Sequence, residues 1–338
     1  MPSSWIVFHL TERCQLACKH CLRAPASPPA ELPVAVVERV LDQAIALHRV
    51  QHVALTGGEP TLHPALPDVV DAIVVRGLTW HVVTNGGRLD ALLALLEAAP
   101  ARRAALTAVD LSLDGADEAT HDANRGAGSW RNVMAAALAL RAREAPFALQ
   151  VTITRRNLEQ LEHLGLLAAQ LGAKRLSFAT MQATGRADDQ ALRLTHEDLV
   201  AARDRVHRLA EHLRLPVTAA EGFPREQPFH VCEPWRSDML HVDSRGRLTL
   251  CCQLSAVGGG DEDVIADLAN VPLPEAHSRL LDRIHLLQRE RLALAAGGRL
   301  EGWELSTCNW CARRHGKPHW TNEGSVGESA RPRPGGGE

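Results

Sequence analysis

The chain has 338 residues and a formal net charge of −3, enough length for one large core or a core with an appended module, and no basic field suited to nucleic acid. No apolar run approaches the roughly 18 uninterrupted residues that a membrane helix needs, and residues 1–10 lack the charged start and small-residue cleavage site of a secretory signal, so a soluble, cytoplasmic protein is expected. In a reducing cytosol the eight cysteines read as metal ligands or reactive thiols rather than as disulfides.

From residue 5 to about residue 213 short β-branched or apolar runs alternate with longer amphipathic ones, the pattern of βα units around a parallel sheet. The first predicted strand, 5–10, leads into Cys14, Cys18 and Cys21 in the run TERCQLACKHC, and then into a helix at 33–49. The second strand, 52–56, runs into Gly57-Gly58-Glu59-Pro60 and a helix at 65–76; the third, 79–84, into Asn85-Gly86-Gly87 and a helix at 90–98. The fourth, 108–113, is followed by Asp114-Gly115 and a helix at 130–143, and strands at 147–153 and 175–179 carry helices at 158–171 and 195–213. Each motif follows a strand, where a parallel barrel collects its chemistry.

A change of composition near 216–228 marks the exit from this unit. Beyond it lie Cys232, Asp238, a predicted hairpin at 241–250, the pair Cys251-Cys252, a helix at 274–296 and Cys308-x2-Cys311. The expected organisation is a first domain at 1–215, a second at 216–316, and a tail at 317–338 whose Gly, Pro and charge content predicts disorder.

Three thiolates fall one short of a complete set. A structural zinc site takes four protein donors, and so does an ordinary cubane cluster. The triad therefore suits a cluster whose fourth iron binds a substrate, with a zinc knuckle completed by His9 or His20 as the structural alternative. The C-x3-C-x2-C spacing together with GGEP resembles the radical S-adenosylmethionine (radical SAM) enzymes. That resemblance implies an α/β fold, a partial (βα)6 barrel of six units rather than eight. It further implies a [4Fe-4S] cluster on Cys14, Cys18 and Cys21 whose open iron is chelated by S-adenosylmethionine.

In such a site Gly57 and Gly58 let the backbone approach the cofactor, and Glu59 offers a carboxylate to its amino group. His20 lies at the adenine end. By the same resemblance Ser112, in Ser112-Leu-Asp-Gly115, and Arg125, in His121-Asp-Ala-Asn-Arg-Gly126, contact the cofactor, and Asn85 reaches the ribose. The plain alternatives are a turn serine, a solvated arginine and a turn asparagine. The reaction class implied is one-electron reduction of the sulfonium, from an external donor such as a flavodoxin or ferredoxin. It yields a 5′-deoxyadenosyl radical that takes a hydrogen from an unactivated C–H bond.

Five cysteines remain, one more than a closed cubane needs. A cysteine, a hairpin, a cysteine, a helix and C-x2-C resemble the shortened SPASM or twitch module that follows radical SAM barrels and carries one auxiliary [4Fe-4S] cluster. Its ligands here are Cys232, Cys251, Cys308 and Cys311, with zinc as the rival occupant. Successive strand residues face opposite ways, so if Cys251 and Cys252 end the second hairpin strand, one faces the cluster and the other the barrel mouth, or packs as an inert buried thiol.

The arrangement resembles the radical SAM peptide epimerases, in which the first of the paired cysteines binds the cluster and the second donates hydrogen. It implies Cys252 as a hydrogen donor that turns an L-residue of a peptide into a D-residue, with Asp238 helping to position the peptide. Two rivals stand beside it: an oxidative peptide maturase or small-molecule (aminocyclitol or sugar) dehydrogenase or epimerase, and a binding or sensor protein with structural clusters. A winged-helix leader-binding domain is not expected before Trp5, and that expectation weighs against the peptide assignment without excluding it.

Overall fold

The computed structural model describes residues 5–22, 28–48, 50–182, 190–225, 227, 229–255, 261–300 and 302–316; the tail expected at 317–338 lies outside them. The first part of the chain alternates strands and helices. These are β1 (Trp5–His9), α1 (Val34–His48), β2 (His52–Thr56), α2 (Leu66–Val74), β3 (Thr79–Thr84), α3 (Leu89–Glu97), α4 (Pro100–Ala104) and β4 (Leu106–Ser112). Then come α5 (Glu118–Arg125), α6 (Ser129–Ala142), β5 (Phe147–Ile153), α7 (Leu161–Leu171), β6 (Leu176–Thr180), α8 (His196–His212) and β7 (Val217–Ala219). The last part holds β8 (Met239–Val242), β9 (Arg247–Thr249), α9 (Cys252–Ser255), β10 (Val264–Asp267), α10 (Leu273–Ala296) and α11 (Thr307–Arg314).

The ten strands form one sheet in the order β10-β9-β8-β1-β2-β3-β4-β5-β6-β7. The six expected strands are parallel neighbours, β7 extends them beyond β6, and β8 joins β1 in parallel with Val7 opposite His241. The predicted hairpin is therefore not a sheet of its own. Its strands β8 and β9 pair antiparallel, and β10 pairs antiparallel with β9, so the second half of the chain continues the sheet of the first.

Strand periodicity sorts the side chains into two layers. Ile6, Phe8, Val53, Leu55, Trp80, Val82, Val109 and Leu111 are fully buried in the apolar core. The alternate residues Val7, His9, Ala54, Thr56, His81 and Val83 line an interior cavity instead. The helices meet the core through ordinary amphipathic spacing, as in α1, where Val37, Val40, Leu41 and Ala44 form the buried stripe. Helix α8 starts in a capping box, Thr195 accepting from the Asp198 amide while Asp198 accepts from the Thr195 amide.

Two local expectations are corrected. Helix α5 falls where no helix is expected, because its sequence EATHDANR buries only His121 and Asn124 and so lacks an apolar period. Its signal is the cap: the Asp117 carboxylate accepts from the Thr120 amide at 2.8 Å. Cys251 and Cys252 do not end a strand, since β9 stops at Thr249 and Cys252 opens α9. No helix among the described residues is long and apolar enough to cross a membrane.

Candidate active site

The cavity enclosed by the strands has a volume of about 780 Å³. Cys14, Cys18 and Cys21 all line it, from the loop after β1. That loop is clamped to the loop after β2. Gly58 N donates to Thr11 O and Glu59 N donates to Arg13 O, each at 2.7 Å. A Cβ on Gly57, at φ +147°, would lie 2.6 Å from Thr11 O, and one on Gly58 would lie 2.2 Å from Arg13 O. The two glycines also line the cavity. The close backbone approach they allow is thus to the cysteine loop, which they lock in place.

Glu59 does not take the place expected of it. Its carboxylate is fully buried. Oε1 accepts from the hydroxyls of Thr61 at 2.7 Å and Thr84 at 2.8 Å, and Oε2 accepts from the Asn85 amide at 2.8 Å. With both carboxylate oxygens bonded to protein donors and its side chain absent from the cavity wall, it ties β2 to β3. Asn85 does line the cavity, but its Oδ1 accepts from Gln15 Nε2 at 2.8 Å and Gly87 N at 2.9 Å, while Nδ2 points to Cys14 Sγ at 3.8 Å. This amide braces the triad from a place on the cavity wall.

Arg125 and Ser112 line the cavity as expected, and Ser112 lies in register with Gln150. The anchor of Arg125 is Asp114, which is fully buried: Arg125 Nε donates to its Oδ2, Thr152 N donates to its Oδ1 at 2.7 Å, and His20 Nε2 lies 3.1 Å from its Oδ2. Burial alone would raise the Asp114 pKa, but the Arg125 and His20 side chains outweigh it and hold the carboxyl below the usual range. Burial also pushes His20 down to about 4. The motif around Arg125 is built on the same loop. Asp114 N donates to His121 Nδ1, and Asn124 Nδ2 donates to Asp114 O. Asp114 belongs to the motif expected after the fourth strand, but its role as the anchor of Arg125 is given only by the structure.

The second cysteine group gathers around a smaller enclosed pocket. Cys232, Cys251, Cys308 and Cys311 line it with apolar neighbours such as Pro234, Trp235 and Leu254. Cys308 and Cys311, one helical turn apart on α11, present one face. Burial raises the thiols of Cys232, Cys308 and Cys311, whereas Cys251 is lowered by a hydrogen bond from Cys252. Cys252 itself lines the large cavity and not the small one, and Gln182 and Gln253 border both. Asp238 lines neither. It sits level with Trp5 at the amino end of β8, its carboxylate accepting from Arg236 Nε at 2.8 Å, so the structure does not place it to hold a substrate in the cavity.

Residues 8–168 match the model of the radical SAM superfamily. The PqqA peptide cyclase of Streptomyces rochei is 30% identical over 318 residues, covering 92% of this chain and 82% of that protein. The chain belongs to the radical SAM superfamily. The mycofactocin maturase MftC of Mycobacterium ulcerans (strain Agy99) is 36% identical over 196 residues, 54% of this chain and 49% of that protein, so the radical SAM chain spans about half of that relative's length. The fold is also that of Streptococcus suis SuiB bound to its precursor peptide SuiA, at TM-score 0.66 and 16% identity over 81% of this chain and 64% of that one.

Membership implies S-adenosylmethionine and a [4Fe-4S] cluster, and this radical SAM chain fits them. The three thiols of one loop border a cavity, next to two glycines and the Arg125 side chain. Burial raises Cys14 and pushes Cys18 up to about 11, which leaves them protonated and poorly nucleophilic at neutral pH unless a metal binds them.

Proposed function

We propose that this radical SAM enzyme inverts the α-centre of an internal residue of a ribosomally made peptide, with Cys252 returning the hydrogen. The observation that carries the proposal is the division of labour between adjacent cysteines. Cys251 lines a pocket with three other thiols, and Cys252 lines the cavity that holds the triad. The small pocket, with its four thiols and the buried Arg291 guanidinium within electrostatic reach of Cys311 and Cys232, suits an auxiliary [4Fe-4S] cluster in a SPASM or twitch arrangement.

Zinc is the weaker reading. Thiolates of one tetrahedral zinc stand about 3.8 Å apart, given Zn–S lengths of about 2.3 Å, and among the described residues no three His, Cys, Asp or Glu side chains are disposed to hold a single ion. Four irons spread their ligands more widely.

When bound and reduced by a donor such as flavodoxin or ferredoxin, the cluster and S-adenosylmethionine supply a 5′-deoxyadenosyl radical that removes one hydrogen atom. The chain's own groups do the rest. The triad loop, locked by Gly57 and Gly58, and the Arg125 guanidinium, held by Asp114, fix the cofactor end of the cavity. Cys252 then gives its thiol hydrogen to the planar substrate carbon from the face opposite the abstraction. The sulfur radical returns to a thiol by taking one electron from the external donor and one proton from solvent.

A peptide suits this cavity better than an aminocyclitol or a free amino acid. Among the described lining residues the inner wall offers neutral groups such as Gln150, Thr152, Gln182 and Gln253, and no unspent carboxylate for an ammonium. A buried charge without a partner costs several kcal/mol, whereas an internal peptide residue carries amides alone on its backbone. The names of the relatives point the same way, to a peptide cyclase, a maturase and an enzyme bound to its precursor peptide. Those names equally suit an oxidative maturase, and the experiment that separates the two is product mass in heavy water. Epimerisation adds about one unit, from the exchangeable thiol, and oxidation removes about two; a loss of two overturns the epimerase reading.

A further inference from the structure

One side chain of the cavity has no use within the protein. His241 is 2% exposed, lines the cavity, and has no hydrogen-bond partner on either ring nitrogen. Its neighbours explain the orientation. On β8 the side chains of Leu240 and Val242 enter the core, so Met239 and His241 face inward. The main chain of His241 is satisfied by the sheet, between Val7 of β1 and Thr249 of β9, and Thr249 Oγ1 donates to its carbonyl at 3.5 Å. Only the imidazole is left over. Buried polar groups are nearly always bonded, and one that is inward-facing and unbonded on both sides marks where a ligand belongs.

We propose that His241 is the substrate-positioning group of this cavity, holding the amide plane of the peptide residue presented to Cys252. The assignment rests on the peptide reading of the substrate. Burial alone, with no neighbouring charge, pushes the ring down to about 4. At neutral pH it is therefore an uncharged imidazole with one N–H donor and one acceptor nitrogen. A residue inside a peptide offers the complementary pair, a carbonyl and an N–H, on the two sides of its α-carbon. A zwitterionic amino acid offers two charges instead, which a neutral ring cannot balance. Location matches chemistry, because Cys252 follows three residues after Thr249, the cross-strand partner of His241, and lines the same cavity.

The test uses reconstituted, unreduced enzyme saturated with S-adenosylmethionine and labelled with 15N in its histidine rings. The probe is N-acetyl-L-alanine N-methylamide, the smallest L-residue with an amide on each side. The ring resonances missing from the His241→Phe spectrum should shift as the probe is added and stay in place with L-alanine. His241→Phe should weaken probe binding by about tenfold, the loss of two hydrogen bonds. His241→Gln, which keeps a donor and an acceptor, should bind within about threefold of the parent. Iron content reports whether each variant is intact, and if His241→Phe fails to load, the parent and His241→Gln still decide by signals assigned through the latter. Silence of the His241 nitrogens up to the solubility limit of the probe, equal shifts with L-alanine, or unchanged affinity in His241→Phe would overturn the assignment. Loss of the epimerase reading is a separate event. A product lighter by two hydrogens would defeat inversion and leave the His241 shift in place, whereas a silent His241 would leave D-residue formation by Cys252 untouched.

Discussion

Cys251 and Cys252 are consecutive residues, joined by a thiol hydrogen bond, that line two different cavities. The division arises where β9 gives way to α9. Cys251 Sγ accepts from Gln253 N at 3.4 Å and so caps the short helix that Cys252 opens. Changing each residue to Ala should therefore fail differently. Cys251→Ala should lose the iron of the auxiliary cluster. Cys252→Ala should keep both clusters and still release 5′-deoxyadenosine, yet form no D-residue. Unchanged D-residue formation by Cys252→Ala, read by chiral amino-acid analysis, would sink the donor role.

Anaerobically reconstituted enzyme should bind about eight irons, four for each of two cubanes. The triple change of Cys14, Cys18 and Cys21 to Ala should halve that number and abolish reductive cleavage of S-adenosylmethionine. Release of 5′-deoxyadenosine by the triple variant would show that the triad is not the cofactor site.

Glu59 acts as a buried brace, and its removal should be felt as stability. Glu59→Ala strands the Asn85 amide and the hydroxyls of Thr61 and Thr84, at about 1–3 kcal/mol for each buried donor left unpaired. A loss of roughly 3 kcal/mol in urea unfolding is expected. A variant of unchanged stability that merely binds S-adenosylmethionine poorly would place the carboxylate at the cofactor after all.

Asp114→Asn should uncouple Arg125 from its anchor. An arginine left buried without its carboxylate destabilises by about 3–5 kcal/mol, and the cavity wall it forms should bind S-adenosylmethionine less tightly. Equilibrium dialysis on the folded variant measures the second effect, and full affinity would show that Arg125 does not touch the cofactor.

Stability should fall on acidification through a pair of histidines on β2 and β3. His52 Nε2 and His81 Nδ1 meet at 2.6 Å, and burial pushes both rings down to about 4. The unfolded chain, with ordinary values near 6.5, binds more protons than the folded one between those limits. Their contribution is whole above pH 6.5 and is lost as pH falls towards 4. Replacing both by Gln should flatten the urea midpoint over that window, and an unchanged slope would mean that the pair does not titrate there.

Much of the fold was legible in the sequence because a parallel βα sheet writes period two into strands and period 3.6 into helices. The predicted strands 52–56, 79–84 and 147–153 coincide with β2, β3 and β5. Helix α5 was not legible, since its fixed points are polar and its buried residues serve the Asp114 loop. For the same reason Asp114 was legible as a strand-end motif but its role was not, since its partners His20 and Thr152 lie far along the chain.

The sequence by itself pointed to the reaction class, because the three thiols at close spacing and the glycine pair after the next strand are local patterns that carry the resemblance to radical SAM enzymes, and local patterns are legible without the fold. Tertiary structure alone decided which groups are left for ligands. Glu59 and Asp238 have the residue type of binding groups, yet one is consumed by Thr61, Thr84 and Asn85 and the other by Arg236. His241, unremarkable in the sequence, is the one of these three whose polar atoms remain unspent. Whether a hydrogen-bonding group is free depends on neighbours brought from other strands, and no local pattern records them.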